Sequence, residues 1–379
     1  MSSSIEHVVI AGAGFSYNAG LPLAADFTRE LLDVSRLKKD GPSAILVEAM
    51  KYFVDEVFGG GAHLKHKQWP QLEDLFTTID LAANTGHNLG PTYSASDLRA
   101  MRRALIVRLI RMLAISFRAK RRAPDDPYNR VVEFLSKVDT RKVGFLSMNW
   151  DSVIEDLIVE TQGAHTIDYG FGAIAGEFVK GSVRLKRGRP ASKFVTILKP
   201  HGSVNWMYCD ACSRLFWFSP NSSERIAARI FRDSDGLILE RIIGKKPKPA
   251  IKPATCPGCS AQALGTRFAT FSYRKALEFP MHQATWSKAE ELLQEAKTWV
   301  FIGYSMPAAD YQFKHLLKRV QLSRRKKPKI LLVTKAPADE TIDNYRRFFG
   351  ANVLRSTNLL DGGMDRTTID EFRKIGIIR

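Results

Sequence analysis

The 379-residue sequence predicts an α/β fold: a Rossmann-like doubly wound parallel sheet with a helical insertion and a small zinc-ribbon module. Three observations carry that reading. Short apolar runs at 8–11, 143–147, 298–302 and 330–334 alternate with amphipathic stretches, as strands buried on both faces of a parallel sheet do. Several runs end at once in glycine or in short polar residues, where open α/β sheets place their ligands. Four cysteines, Cys209, Cys212, Cys256 and Cys259, form two C-x-x-C pairs.

The first run, Val8-Val9-Ile10-Ala11, passes straight into Gly12-Ala13-Gly14-Phe15-Ser16. Two glycines allow a tight turn and close approach to a ligand, because no Cβ intervenes. Ser16 and the backbone N–H groups beyond it can face a phosphate where a strand runs into a helix. The dehydrogenase pattern G-x-G-x-x-G needs glycine at position 17, where Tyr17 stands. Phe27, Leu31, Leu32 and Val34 predict a helix over 26–37, and a second follows over 44–58 until Gly59-Gly60-Gly61 breaks it. A third spans 72–81, its Glu73 and Asp74 expected to cap or to face solvent. A loop over 84–96 leads to a long helix over 97–117 with Leu98, Met101, Leu105, Leu109, Met112 and Leu113 as its core stripe.

After a helix over 128–138, the strand at 143–147 ends in Met148-Asn149-Trp150-Asp151 and a helix over 152–159. A strand over 194–199 ends in Pro200-His201-Gly202-Ser203, and 206–264 reads as a module hung off the sheet. A helix over 281–296 precedes the strand at 298–302, which ends in Gly303-Tyr304-Ser305-Met306-Pro307. Asp310 then caps a helix striped by Phe313, Leu316, Leu317 and Val320. The strand at 330–334 and helices over 341–349 and 368–375 complete the pattern, with no internal repeat. The expected division is 1–40 as the first strand–helix unit, 41–123 as the helical insertion, 124–204 as the continued Rossmann-like domain with its Asn and His, 205–264 as the zinc module and 265–379 as completion.

Composition narrows the function classes. No apolar run approaches the ~20 residues that span a bilayer, and MSSSIEHVV lacks a secretory pattern, so a soluble, cytoplasmic protein without membrane partners is expected. Lys plus Arg number 57 against 39 Asp plus Glu, a formal charge of +18. The excess peaks at 184–189 (RLKRGR), 245–252 (KKPKPAIK) and 319–329 (RVQLSRRKKPK), which read as solvated loops or as contacts for nucleic acid or an acidic partner. Two C-x-x-C pairs in a chain of this size suit tetrahedral Zn2+ better than a disulfide framework; buried free thiols, or a site that has lost its metal, are the alternative.

Four strand ends, at Gly12–Ser16, Asn149–Asp151, His201–Ser203 and Gly303–Ser305, share one sheet edge and can converge. In this order, GAGFS with AGLP, then MNWD, then HGS before the two C-x-x-C pairs, then GYS, the sequence resembles the sirtuin family. The resemblance implies NAD+ as substrate. It implies that Gly12, Ala13, Gly14, Phe15 and Ser16 form the first NAD-binding loop, that Asn149 and Asp151 hold the nicotinamide ribose and line the nicotinamide pocket, and that His201 is the catalytic histidine, with Asn149 and Asp151 as its catalytic companions. Gly303 and Ser305 would hold phosphates and adenosine ribose, Thr334 would stand near that ribose, and the four cysteines would ligate a structural zinc.

The chain departs from sirtuin deacylases in three places. Leu23-Ala24-Ala25 follows Pro22 where Asp-Phe-Arg is expected, Pro307 comes early in the GYS loop, and Trp150 replaces a smaller aliphatic residue. These features resemble the bacterial sirtuin-like branch associated with phage defence, which implies an NAD+ hydrolase of abortive infection. Such an enzyme is expected to be a homo-oligomer controlled by an ATPase, translocase or phage-sensing partner. An NAD-dependent protein-lysine deacylase and a non-catalytic nucleic-acid-binding or scaffold protein are the rival readings.

Overall fold

The computed structural model describes residues 5–33, 42–120, 127–187, 191–227, 229–230, 233–244, 253–268, 280–354 and 358–379. In chain order the strands are β1 His7–Ala11, β2 Val143–Ser147, β3 Thr166–Asp168, β4 Ile174–Val179, β5 Ser182–Leu185, β6 Phe194–Leu198, β7 Gly202–Cys209, β8 Leu215–Trp217, β9 Leu264–Phe268, β10 Thr298–Ile302, β11 Lys329–Val333 and β12 Leu359–Leu360. The helices are α1 Ala13–Asn18, α2 Phe27–Leu32, α3 Pro42–Gly59, α4 Leu72–Thr85, α5 Ala95–Lys120, α6 Tyr128–Lys137, α7 Val153–Gln162, α8 Pro220–Ala227, α9 Asp233–Ile243, α10 Pro280–Glu295, α11 Tyr311–Ser323, α12 Asp339–Phe349 and α13 Arg366–Lys374. None of the described helices is long and apolar enough to cross a membrane.

Seven strands form one sheet in the order β12-β11-β10-β1-β2-β6-β3, every pair parallel. Its central strands are buried along their whole length. Alternation along each strand divides them between two cores. Val9, Ala11, Val300, Ile302, Leu331 and Val333 face the core covered by α2 to α7 and α13. Val8, Ile10, Trp299, Phe301, Ile330 and Leu332 face the core under α10, α11 and α12. The sheet is doubly wound, with β1 in its middle. From β1 the chain builds through β2 and β6 to one side and through β10 and β11 to the other, so the topological switch lies between β1 and β10.

The helical insertion packs α3, α4 and α5 onto the first core. Arg108 of α5 is 3% exposed, its Nε donating to Leu31 O at 3.0 Å and its Nη2 to Glu30 O and Asp33 O at 3.2 and 3.3 Å. It thus satisfies the carbonyls that end α2. Burial lowers its pKa to about 10, leaving it charged at neutral pH.

Five strands form a second sheet, β5-β4-β8-β7-β9, antiparallel except between β4 and β8. This sheet does not coincide with the 205–264 segment: β4 and β5 precede it, and β7 begins at Gly202. The helix expected over 26–37 runs over Phe27–Leu32, and its last positions lie outside the described residues, as does the 245–252 basic run. The 319–329 run is largely engaged within the fold. Arg324 Nη1 donates to Leu293 O and Ala296 O, both at 2.6 Å, and Lys327 Nζ donates to Gln321 O at 2.6 Å.

Candidate active site

The turn after β1 and the turn after β10 are pressed together, backbone on backbone. Gly14 N donates to Gly303 O at 2.9 Å, Gly12 N to Ile302 O at 3.0 Å, and Gly303 N to Val333 O at 3.0 Å. A Cβ on Gly12 would lie 2.5 Å from Gly303 O, and one on Gly303, at φ +60°, 2.3 Å from Phe15 N. Gly12 and Gly14 therefore serve this contact, a reason for glycine beyond the close approach of a ligand. α1 starts at Ala13, directly after β1. Phe15 is fully buried against the Phe134 ring, 6.4 Å between centroids, so its side chain belongs to the core.

A hydrogen-bonded chain ties the β2 end to this turn. Asn149 Nδ2 donates to Gly12 O at 2.7 Å and to Ser16 Oγ at 2.8 Å. Ser16 Oγ donates to Asp151 Oδ2 at 2.7 Å, and Asp151 Oδ1 accepts from Val153 N at 3.1 Å at the start of α7. With both amide hydrogens used, the carbonyl Oδ1 of Asn149 is the group left for a ligand hydroxyl. Behind Asp151 lies a buried ion pair. The fully buried Lys199 donates to Asp151 O and pairs with Glu155 at 3.1 Å. Burial pushes the Glu155 carboxyl up, and Lys199 opposes the shift.

His201 immediately precedes β7. Ser203 Oγ and Val204 N bond Trp150 O at 3.1 and 2.9 Å, which fastens the start of β7 to the Asn149–Asp151 turn. His201 Nδ1 donates to Met148 O at 3.1 Å, because a carbonyl only accepts; Nε2 is then the basic atom of the neutral ring. Nε2 lies 3.7 Å from Asp310 Oδ1, and Asp310 Oδ2 accepts from Tyr304 OH at 2.9 Å.

These groups surround one cavity of about 240 Å³ at the carboxyl edge of the parallel sheet. Gly12, Ala13, Ser16, Asn149, Asp151, His201, Gly303 and Ser305 line it, with Leu21, Pro22, Phe27, Leu113 and Trp150 as apolar wall. Gly14 lies beneath the lining, against Gly303. Thr334 follows β11, its backbone bonded to Leu360 and Gly363, and it does not line the cavity.

Two carboxylates enter the wall that sequence reasoning assigned elsewhere. Glu73 of α4, expected to cap or face solvent, lines the cavity. Asp310 holds the N-cap position of α11, but its side chain makes no capping bond and turns to Tyr304 and His201. Neither contact has a sequence signature, since both residues sit where local chemistry already explains an acid. Lys199 carried one weak signal, a lysine at the end of a buried strand.

At the far end of β7, the four cysteine sulfurs lie within 4.8 Å of one another. Cys209 and Cys259 are 3.6 Å apart and Cys212 and Cys256 3.7 Å, too long for disulfides. A tetrahedral ion with metal–sulfur bonds of ~2.3 Å sets its sulfurs ~3.8 Å apart, so the cluster fits zinc. Ser213 and Ser260, each four residues past the first cysteine of its pair, take φ of 55° and 63° and donate to the carbonyls of Cys209 and Cys256. Burial pushes the Cys256 thiol up to about 12, a cost that a bound cation would reverse. Eight residues of strand, roughly 25 Å of rise, separate the cluster from His201.

No protein-family model and no curated protein matches this chain. Among solved structures, it is similar to Sir2Tm bound to a propionylated peptide, at 12% identity and a TM-score of 0.38 over 98% of this chain and 94% of that one. It is also similar to a Sir2 complex with the inhibitor EX-527, 2'-O-acetyl-ADP-ribose and deacetylated p53 peptide, at 13% identity and a TM-score of 0.33 over 99% and 95%.

Proposed function

We propose that the chain hydrolyses NAD+ to ADP-ribose and nicotinamide. The observation that carries this reading is the convergence of Ser16, Asn149, Asp151 and His201 on one cavity beside the locked Gly12–Gly303 turns. The ribose–nicotinamide bond breaks through an oxocarbenium-like state, as glycosidic bonds do. Its leaving group is a cationic ring that departs neutral with the bonding electron pair, so no acid need protonate it. A water oxygen bonds to the anomeric carbon and its proton passes to His201 Nε2. Asn149 Oδ1 and the Asp151 carboxylate orient the ribose hydroxyls, with Asp151 placed by Ser16 and by the start of α7. The Gly12–Ser16 and Gly303–Ser305 turns hold the phosphates, with Phe15 contributing only backbone, and Thr334 stands near the adenosine ribose. Zinc on the four cysteines would brace the second sheet, supplying no step of the reaction at this distance from His201.

The sirtuin resemblance adds a cellular setting to the proposal. The activity serves abortive infection against phage and is held in check by homo-oligomerisation or by an ATPase, translocase or sensing partner, since unregulated NAD+ loss is lethal. One observation favours a second reading, NAD-dependent deacylation: the cysteine cluster is intact, and the sheet that carries it adjoins the site through the start of β7. Nicotinamide release from NAD+, measured with and without an acetylated peptide, separates the two. Release without peptide is expected, with a loss of about 10³-fold in His201→Ala. Release that requires peptide replaces hydrolysis with deacylation, and release unchanged in His201→Ala overturns both.

A further inference from the structure

Asp310 occupies a helix N-cap position yet performs no capping. Its carboxylate is 7% exposed, anchored through Oδ2 by the Tyr304 hydroxyl at 2.9 Å, and presents Oδ1 to His201 Nε2 at 3.7 Å. The anchor is firm, because burial, and then Asp310 itself, hold the Tyr304 hydroxyl well above the usual phenol range, so it stays a donor. The opposite edge of the imidazole is fixed by Met148 O. A separation of 3.7 Å is a charge contact rather than a hydrogen bond.

We propose that Asp310 is a positioning residue for His201: it fixes a negative charge beside Nε2 and stabilises the imidazolium that forms when His201 takes a proton. The proposal rests on the hydrolase reading and adds to it a group outside the Asn149, Asp151 and His201 set. In the reaction the water oxygen bonds to the anomeric carbon, the ring nitrogen leaves with the electron pair, and the proton ends on Nε2. Asp310 takes no proton. The arrangement differs from a serine-protease triad, where the carboxylate faces the nitrogen remote from the chemistry. Here the remote nitrogen meets a neutral carbonyl, and the carboxylate stands at the reacting edge. His282 of α10 is held neutral, its pKa lowered to about 3 by burial and then by His201. Asp151 and Glu73 line the same cavity.

Asp310→Asn in the full chain tests the pair. Nicotinamide release rises with pH as His201 loses its proton, and in the variant that rise is expected about one pH unit lower, since an opposing charge has been removed. The alkaline plateau is expected to fall about 10-fold with KM for NAD+ changed less than about 2-fold. Asp310→Glu is expected to recover part of the loss. A purely structural role would change melting temperature and leave the pH profile in place. The second measurement needs no turnover: the His201 imidazole is titrated by NMR, its signals assigned by their loss in His201→Gln. Its midpoint is expected to drop by about one unit in Asp310→Asn; a midpoint that stays or rises overturns the proposal. Wild-type protein that releases no nicotinamide would instead overturn the hydrolase reading, and the titration would still decide the pair.

Discussion

The strands of the parallel sheet and those of the five-stranded sheet are held in different ways. β1, β2 and β10 are buried on both faces, and the turns that follow β1 and β10 are locked by direct backbone contact through Gly12, Gly14 and Gly303. The smaller sheet is partly exposed along β4 and β5, and four thiols stand where β7 and β9 meet. β7 belongs to both regimes. Its first residues are fastened to the Trp150 carbonyl, and its last is a cysteine of the cluster. The lesson is a division of labour in which the geometry around His201 is set by the sheet edge, while the four clustered thiols sit in the neighbouring sheet.

Stripping the metal should break the comparison most severely. Chelation of zinc-loaded protein is expected to abolish amide-exchange protection in β7, β8 and β9, in line with the roughly 10 kcal/mol or more that structural zinc sites contribute. Protection in β1, β2 and β10 should persist; equal loss in both sheets would show that they do not stand apart. A matched pair of glycine substitutions comes next. Gly303→Ala places a Cβ 2.3 Å from Phe15 N at positive φ and is expected to cost about 3 kcal/mol by denaturant unfolding, together with nicotinamide release. Gly265→Ala in β9 meets no atom within 4 Å and should change stability by less than about 1 kcal/mol.

The smallest effect sharpens the joint between the regions, where His282 lies 6.1 Å from the Trp206 ring of β7. Its folded pKa is lowered from 6.5 to about 3, so the unfolded chain binds a proton that the folded chain refuses. The stability it contributes is present above pH 6.5 and is lost as pH falls toward 3. His282→Phe should flatten that decline, with a difference of roughly 2 kcal/mol near pH 5 by thermal or denaturant unfolding.

The central strands were legible because a strand buried on both faces is an unbroken apolar run: 143–147 and 298–302 match β2 and β10 residue for residue. Helix ends shifted by a few positions, as for α4, which continues to Thr85 and closes at Gly86 with φ 75°. The short strands β3, β4, β5 and β8 escaped because three to six partly exposed residues carry no decisive periodicity. β7 escaped because its residues, GSVNWMYC, are buried at all positions but the half-buried Tyr208, without alternating. The glycine turns, Asn149, Asp151 and His201 were visible as polar ends of strands. Asp310 and Glu73 were hidden because each had a sufficient local explanation, and only the long-range fold turns them inward.

Arg108 sets a limit on how the cavity can breathe. Swinging α5 away from α2 would leave a guanidinium and three carbonyl oxygens to be rehydrated together. α2 and α5 therefore travel as one body, carrying Phe27 and Leu113 with them. A ligand that needs a wider mouth must find it by shifting the whole cover rather than by prying its two helices apart.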